Sequence, residues 1–317
     1  MKKGKINWSK FYDRFGMLII LVIMFVIFSI LKPQFFAIGN VENILKQISV
    51  YGIIGYGVCF IIITTGIDLG LGSYMALAGV IGAYFAHIES LPGIIGVLAG
   101  CAVGIAIGLV NGLIIAISKI PPFIVTLGMT TITRGFACLF TDGKPITNLS
   151  SDFRWWGSGT LLGISTPIMW LIIFTIVCYI LLDHTKFGKY TKAIGGNENA
   201  AVISGINVFK YKVIIYTFAG FCCGFAGVVL AARVASGSPS AADGYELDAI
   251  AGAVIGGTSM SGGKGWIVGV LIGSMVIGVL NAGLNILNVS SYWQEVVKGI
   301  IIIVAVIADE RKNKAKA

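Results

Sequence analysis

Apolar residues fill most of this chain, in runs of about twenty separated by short polar stretches. A helix of about 20 residues crosses a hydrocarbon layer of about 30 Å, so runs of this length predict transmembrane helices. The two runs beside Asp68 are joined so tightly, by Gly66–Gly70, that we expect one of them to be re-entrant or broken. The pattern predicts about ten spans, near residues 17–36, 48–66, 70–87, 91–117, 122–141, 161–182, 213–233, 247–262, 266–287 and 293–308.

One long polar stretch, residues 183–211, interrupts the apolar pattern. Its middle, Gly195–Asn207, contains a Glu-x-Ala-Ala sequence closed by glycine, which predicts a short helix in a solvated loop. A membrane domain that works alone has little use for such a helix among lysines. A domain that must be driven by another subunit needs one, so this loop is the strongest indication of function in the sequence.

The composition excludes a soluble protein. With 56% hydrophobic residues, 12% charged residues and a mean hydropathy of +0.91, the chain has too little polar surface to cover itself in water. The net charge of +9 could suggest nucleic acid as a partner, but the lysines cluster at the termini and in loops between apolar runs. That distribution marks the cytoplasmic side of a membrane protein, so we expect a lipid bilayer and no nucleic acid.

Basic residues predict the orientation. Both termini and the 183–211 loop carry several, which places all three in the cytoplasm. An even number of spans independently puts both termini on one side, and ten spans place the 142–160 loop outside. We expect a single transmembrane domain over residues 1–317. The residues concerned are Lys2, Lys3, Lys5, Lys10, Arg14, Lys186, Lys189, Lys192, Lys210, Lys212, Arg311, Lys312, Lys314 and Lys316.

Enzymatic chemistry is hard to place on this chain. Its two histidines, His87 and His184, lie at span ends on what should be opposite sides of the membrane. The stretch 257–265 resembles a phosphate-binding loop, but Thr258 replaces its first glycine and Gly265 replaces the hydroxyl that would hold magnesium. We therefore expect no catalytic residue, no metal site, no cofactor and no nucleotide site.

Glycine spacing predicts how some helices pack. Gly100, Gly104, Gly108 and Gly112 recur every four residues and so form one smooth stripe along a helix. In a membrane such a stripe lets a neighbouring backbone approach closely. The same spacing recurs at Gly265, Gly269 and Gly273. We expect close helix packing there, with a glycine-lined path that moves as the alternative.

Polar residues inside apolar runs need a role, because an ionised side chain at mid-bilayer costs at least about 2.5–3.5 kcal/mol. Two interpretations stay open: these residues line a path or gate, or they form caps and inter-helix hydrogen bonds that fix a broken helix. Arg233, near the outer end of its span, poses the same problem. The candidates are Asp68, Ser73, Asn111, Arg134 and Asn281.

Several ordered blocks resemble the permeases of bacterial monosaccharide ABC importers, the ribose-type permeases most of all. The resemblance runs from about residue 40 to 308. The blocks are Gly66–Leu69, Thr141–Ile146, Ala193–Ala201 through Ser204–Val208, Gly244–Ala251, Gly256–Gly265 and Asn281–Asn285.

The resemblance implies an all-α integral membrane fold like that of type II ABC importer permeases, in the bacterial inner membrane. It implies import of a monosaccharide, ribose or a related sugar such as galactose, driven by ATP. The implied partners are an ATP-binding subunit in the cytoplasm, an extracytoplasmic sugar-binding protein and a second permease copy.

The resemblance also assigns candidate roles to residues. The coupling helix, which contacts the ATPase, would comprise Asn197, Glu198, Ala200, Ala201 and Gly205. Asn199 stands where the wider Glu-Ala-Ala pattern has alanine.

The binding-protein dock would lie between Thr141 and Gly163 and in the turn from Ser236 to Tyr245, where charged groups flank Trp155 and Trp156. Alternatively, these tryptophans belong to the interfacial aromatic belt. The candidate dock residues are Lys144, Asp152, Arg154 and Asp243.

Two other functions also fit an apolar polytopic chain. An ion-coupled secondary sugar transporter could use an intramembrane carboxylate such as Asp68, but it predicts more buried acids than this sequence offers. A passive channel or scaffold leaves the helix in the 183–211 loop unexplained. The sugar itself is not determined, because importers of this kind select mainly at the binding protein.

Overall fold

The structure, a computed structural model, describes residues 8–88 and 91–314. The orientation argument drawn from Lys2, Lys3, Lys5 and Lys316 lies outside the described residues. Two short strands, β1 Thr160–Leu161 and β2 Ile164–Ser165, form an antiparallel hairpin. The helices are α1 Trp8–Leu31, α2 Ile38–Ile63, α3 Leu71–His87, α4 Gly93–Ser118, α5 Pro122–Thr141, α6 Ser151–Ser158, α7 Thr166–Tyr179, α8 Lys186–Gly196, α9 Glu198–Ile203, α10 Val208–Val234, α11 Tyr245–Ile255, α12 Ile267–Ile286 and α13 Ser291–Lys314.

The all-α polytopic membrane fold is confirmed. Within the described residues, seven helices are long and apolar enough to cross a membrane, namely α2, α4, α5, α10, α12, α13 and α7 with the π-helical turn Ile180–His184 that continues it. The apolar part of α1, Gly16–Leu31, and the 17 residues of α3 are shorter. These nine helices correspond to nine of the ten predicted spans.

The predicted span at 247–262 is wrong in its extent. The helix there, α11, has 11 residues, about 16 Å at 1.5 Å per residue, which is too short to cross a bilayer. It ends at Ile255 because the next residues are Gly256 and Gly257, and Gly257 adopts a φ of +91° that a helix cannot continue. Several boundaries also differ from the prediction by about five residues or more, among them the end of the first span, at Leu31, and the start of the second, at Ile38.

The break predicted beside Asp68 is present. Helix α2 ends at Ile63, the segment 64–70 is not helical, and α3 begins at Leu71. Two threonines of α5 bind this segment: the Leu69 amide donates to Thr126 Oγ1 at 3.2 Å, and Thr130 Oγ1 donates to the Leu69 carbonyl at 3.0 Å. Non-helical backbone survives at membrane depth when protein groups satisfy it, as they do here.

A second non-helical segment, 235–244, precedes the short helix α11. Gly237 exchanges two backbone hydrogen bonds of 2.9 Å with Ile146. Further along, Arg134 of α5 donates to the carbonyls of Pro239 at 2.7 Å and Ala241 at 2.9 Å. The fold thus contains two broken elements of the same kind, each an irregular segment leading into a shortened helix.

The glycine stripe of α4 packs on α10, as predicted. A Cβ built on Gly104 would overlap the Gly220 carbonyl and come within 2.7 Å of Gly224 Cα, and Gly108 lies equally close to the Tyr216 carbonyl. Gly269 and Gly273 of α12 make the same close approach to α11, against the carbonyls of Gly256 and Gly252. Backbone-to-backbone packing therefore holds these helix pairs together.

Replacing Gly104 by alanine should destabilise the protein by about 1–3 kcal/mol, because neither backbone at this crossing can move aside cheaply. Gly128→Ala is the matched control. Nothing lies within 4 Å of a Cβ at Gly128, so alanine there should be neutral or stabilise by up to about 1 kcal/mol. Thermal unfolding of the purified variants in detergent measures both effects. Equal melting temperatures would contradict the packing role of the stripe.

Candidate functional site

The predicted short helix in the polar loop is α9, six residues from Glu198 to Ile203. Asn197 caps its start, because its Oδ1 accepts a hydrogen bond from the Ala200 amide at 2.9 Å. Gly205, with φ +80°, follows its end, and the next amide, that of Ile206, bonds back to the Ala201 carbonyl at 3.0 Å. Both ends of α9 are thus fixed by residues singled out in the sequence.

One face of α9 is buried and the other is not. Ala201 is buried against Ile194 and Val208. The side chains of Val202 and Ile203 point away from the protein, with 56% and 87% of their surface exposed. Two adjacent exposed aliphatic residues in the most polar loop of the chain are candidates for contact with another protein.

Glu198, at the start of α9, forms an ion pair with Lys212 of α10, with 2.8 Å between Oε2 and Nζ. The pair fastens α9 to a membrane helix. The sequence reasoning used Lys212 only for orientation, and it did not single out Val202 and Ile203. An apolar pair following Ala-Ala in an otherwise charged loop could have revealed the two aliphatic residues.

Asp68 lies at the first broken element and is 4% exposed. Its Oδ1 accepts a hydrogen bond from the Gly70 amide at 2.9 Å, immediately before α3 begins. Asn111 of α4 is fully buried and donates to the Tyr74 hydroxyl at 2.8 Å, and Ser73 is buried on the same first turn of α3. Asp68 and Ser73 thus lie at the start of α3, and Asn111 of α4 reaches the same part of α3 through Tyr74.

Glu246 of α11 joins this region and was not singled out from the sequence. A Cβ built on Gly72 of α3 would collide with the Glu246 carboxylate and the Ala242 carbonyl, so the two broken elements touch here. A signal was available: Gly66-Ile67-Asp68-Leu69 before α3 resembles Gly244-Tyr245-Glu246-Leu247 at α11. The glycine and acid lie just before α3 in the first element and at the N-cap and first turn of α11 in the second.

Asn281 belongs to a separate polar cluster. Its Nδ2 donates to the Tyr51 hydroxyl at 3.2 Å and to Asp248 Oδ2 at 3.3 Å. The same Asp248 oxygen pairs with Lys298 Nζ of α13 at 3.0 Å, and the Asp248 side chain is 1% exposed. A buried ion pair thus joins α13 to α11. Asp248 and Lys298 were missed because they are far apart in the sequence.

The opposite end of the molecule carries the candidate dock. Helix α10 has 27 residues, about 40 Å; α9 adjoins its start, and Gly157 of α6 packs on the backbone of Arg233 near its end. The Ile146–Gly237 bridge joins the two segments proposed for the dock. Exposed side chains here are those of Lys144, Asp152, Arg154 and Asp243.

The two tryptophans beside these charges differ. Trp156 is stacked on Trp170 of α7, with 4.9 Å between ring centroids and 5° between planes. Trp155 contacts Trp156 edge-on and is 36% exposed. Trp156 therefore anchors α6 to the helices, and Trp155 is the one free to meet another molecule.

Two broken helices with buried acids, set among long apolar helices, define an integral membrane protein built for transport. The chain belongs to the family described as the permease component of branched-chain amino acid transport systems, whose model matches residues 40–306.

The curated relatives are similar over nearly their full length. The chain is 43% identical to the ribose import permease protein of Bacillus subtilis over 314 residues, covering 98% of this chain and 97% of the relative. It is 45% identical to that of Escherichia coli K12 over 300 residues, 93% of each chain. The D-allose transport system permease protein of E. coli K12 is 38% identical over 314 residues, 99% of this chain and 96% of the relative. No solved structure matches the chain.

Proposed function

We propose that this protein is the membrane subunit of an ATP-driven importer of ribose or a closely related monosaccharide. The observation that carries the proposal is α9, a short capped helix that presents Val202 and Ile203 to solvent and is fastened to α10 by the Glu198–Lys212 pair. A passive channel has no use for such a surface. The ribose and D-allose import permeases among the relatives support a monosaccharide as substrate.

An ATP-binding subunit, a separate chain, docks on α9 in this proposal. The subunit contacts this helix, whose residues and flanking caps are Asn197, Glu198, Ala200, Ala201 and Gly205. The two exposed aliphatic side chains enter its surface, because burying them releases apolar area from water. The loop 183–211 and both termini then lie in the cytoplasm of a bacterial cell, and the whole chain acts as one transmembrane domain in the inner membrane.

On the other face, an extracytoplasmic sugar-binding protein docks beside Lys144, Asp152, Arg154 and Asp243. A second copy of the permease completes the path. Closure of the ATPases displaces α9 and rocks the membrane helices between outward-open and inward-open states. Asp68, Ser73, Asn111, Arg134 and Asn281 lie at or beside the two broken elements, which are the places where such a chain can bend without losing long stretches of helical hydrogen bonds.

Reconstitution into liposomes with its ATPase and binding protein tests the function. Uptake of radiolabelled ribose should require ATP and should survive an ionophore that abolishes the proton and sodium gradients. Asp68→Asn keeps an oxygen that can accept from the Gly70 amide, so we expect uptake to fall no more than about threefold. Uptake that follows the ion gradients at constant ATP, or that vanishes in Asp68→Asn, would instead support ion coupling, which the relatives do not favour.

Reversing two charges tests the dock. In the variant Asp152→Arg/Arg154→Asp, we expect the binding-protein concentration for half-maximal uptake to rise about three- to tenfold at low salt and less at high salt, because exposed charges are screened. ATP hydrolysis without binding protein should be unchanged. A half-maximal concentration that is the same as wild type at every salt concentration would place the dock elsewhere.

Substrate choice is tested on the binding protein. Calorimetric titration with ribose, allose and galactose should give one preferred sugar, and the same sugar should be taken up by the reconstituted complex.

A further inference from the structure

Three segments of the chain meet at the end of α2 through backbone contacts. The Ile63 carbonyl accepts a hydrogen bond from the Gly263 amide at 2.8 Å. Gly195 packs on the same carbonyl so closely that a Cβ at Gly195 would overlap it. Gly262 lies against the Gly195 carbonyl, with only 2.5 Å between that oxygen and a Cβ built at Gly262. We call these four residues, Ile63, Gly195, Gly262 and Gly263, the glycine junction.

Each segment continues into a part of the candidate site. Gly195 lies in the last turn of α8, two residues before Asn197, the cap of α9. Ile63 ends α2 and leads into the segment 64–70, which contains Asp68. Gly262 and Gly263 belong to the loop 256–266, which follows α11 directly. The junction therefore joins the end of α8, which leads into α9, to the residue that precedes the segment 64–70 and to the loop that follows α11.

The loop 256–266 is also fixed to the last turns of α2. The Thr258 hydroxyl lies 3.3 Å from Cys59 Sγ, and Gly265 packs against the side chain of Ile63. Gly262 and Gly263 adopt φ values of +82° and +72°, which favour glycine. A backbone-to-backbone contact of this kind has no rotamer that can relax when one partner is pushed, so it transmits small displacements.

We propose that the glycine junction moves as one body and carries the displacement of α9 into the segments 64–70 and 256–266, with Gly195 as the positioning residue. The proposal rests on the proposed function, in which an ATPase displaces α9. It explains how a helix on the surface can act on acids buried in the membrane: the residue before the segment 64–70 and the loop after α11 are held at the same junction.

Two neighbouring glycines provide the first test. Gly195 and Gly196 both end α8, but a Cβ at Gly195 overlaps the Ile63 carbonyl, whereas nothing lies within 4 Å of a Cβ at Gly196. The complexes carrying Gly195→Ala or Gly196→Ala are compared for bound ATPase, ATP hydrolysis and ribose uptake. We expect Gly195→Ala to retain ATPase and hydrolysis but to lose uptake about tenfold or more, and Gly196→Ala to stay within about twofold of wild type.

Equal uptake in the two variants would overturn the proposal. So would a Gly195→Ala complex in which uptake and hydrolysis fall together in proportion to the amount of folded protein, because that pattern reports a structural defect and not lost transmission.

A cross-link provides the second test. Unlike Gly195→Ala, it does not depend on a steric clash. Thr258→Cys is paired with the natural Cys59 in a chain whose other cysteines, Cys101, Cys138, Cys178, Cys222 and Cys223, are alanine. If α2 and the loop move as one body, a complete disulfide should leave ATP-driven uptake within about twofold of the reduced sample. Uptake that is lost on oxidation and restored by reductant would overturn the proposal. A disulfide that does not form would also contradict it, because one body formed by α2 and the loop 256–266 keeps these two residues in contact.

The two hypotheses fail in different ways. If the wild-type complex shows no ATP-dependent uptake, the proposed function is wrong. If the wild type transports with ATP and both glycine variants match it, the proposed function stands and only the junction is wrong.

Discussion

Gly205→Pro should reduce transport about a hundredfold while the protein still inserts in the membrane. Gly205 has φ +80°, a conformation that proline cannot adopt, and its amide donates to the Val202 carbonyl at 2.9 Å. Proline removes this bond, and its ring disfavours the φ and ψ of Ser204 as well. Such a change costs about 3 kcal/mol or more of conformational free energy. Because about 1.4 kcal/mol corresponds to a factor of ten, we expect ATP-driven uptake to fall about a hundredfold. Uptake into liposomes and co-purification of the ATPase measure the effect.

Gly205→Asn is the matched control, because asparagine tolerates a positive φ and keeps the amide. It should transport within about threefold of wild type. A Gly205→Pro permease that still binds its ATPase and hydrolyses ATP in response to the binding protein would show that α9 is not the contact.

The exposed tip of α9 should respond differently from its buried side. Val202 and Ile203 face solvent, so in the proposed function we expect their replacement by serine to weaken ATPase docking and to leave the fold intact. Ala201 is packed under the helix against Ile194 and Val208. The distinction follows from the structure, because the sequence shows only a short run of small and apolar residues.

Much of the fold follows from the sequence because a bilayer demands long apolar runs. The break at Asp68 was predictable, since an acid between two glycines cannot continue an apolar helix at low cost. The short helix α11 was not, because residues 247–262 are apolar enough to span. Helix α11 ends because Gly257 adopts a positive φ. The sequence alone does not distinguish such a glycine from the glycines that pack inside continuous helices, as in α4 and α12.

The candidate site was predictable where its residues are neighbours in sequence. The closing glycine, Gly205, was identified because helix stops are local, and Asn197 was identified through the resemblance, which places it in the coupling helix. Glu246 and Lys298 were not, because their partners come from other helices: Glu246 meets Gly72 of α3, and Lys298 meets Asp248 of α11. The role of Gly195 could not be predicted from the sequence either. A side chain is excluded there because the Ile63 carbonyl lies so close, and that contact appears only in the structure.

Lys298→Met should strongly destabilise the protein. The change leaves the Asp248 carboxylate, 1% exposed, without the cation that lies 3.0 Å away. Breaking one side of a buried ion pair costs about 3–5 kcal/mol, because the remaining charge stays in a medium that solvates it poorly. Thermal unfolding of the purified permease in detergent should show this loss.

Two further variants separate a buried charge from lost packing. Lys298→Met/Asp248→Asn removes both charges and keeps a polar group beside Asn281, so it should recover most of the lost stability. Lys46→Met breaks the Lys46–Glu42 pair, in which the glutamate side chain is 44% exposed, and should cost no more than about 1 kcal/mol. If Lys298→Met unfolds at the same temperature as Lys46→Met, the Asp248 carboxylate is solvated and α13 is held to α11 by its apolar contacts alone. If the double variant recovers stability but not uptake, the pair also serves the transport cycle, because the charge that joins α13 to α11 must then be present while α11 moves.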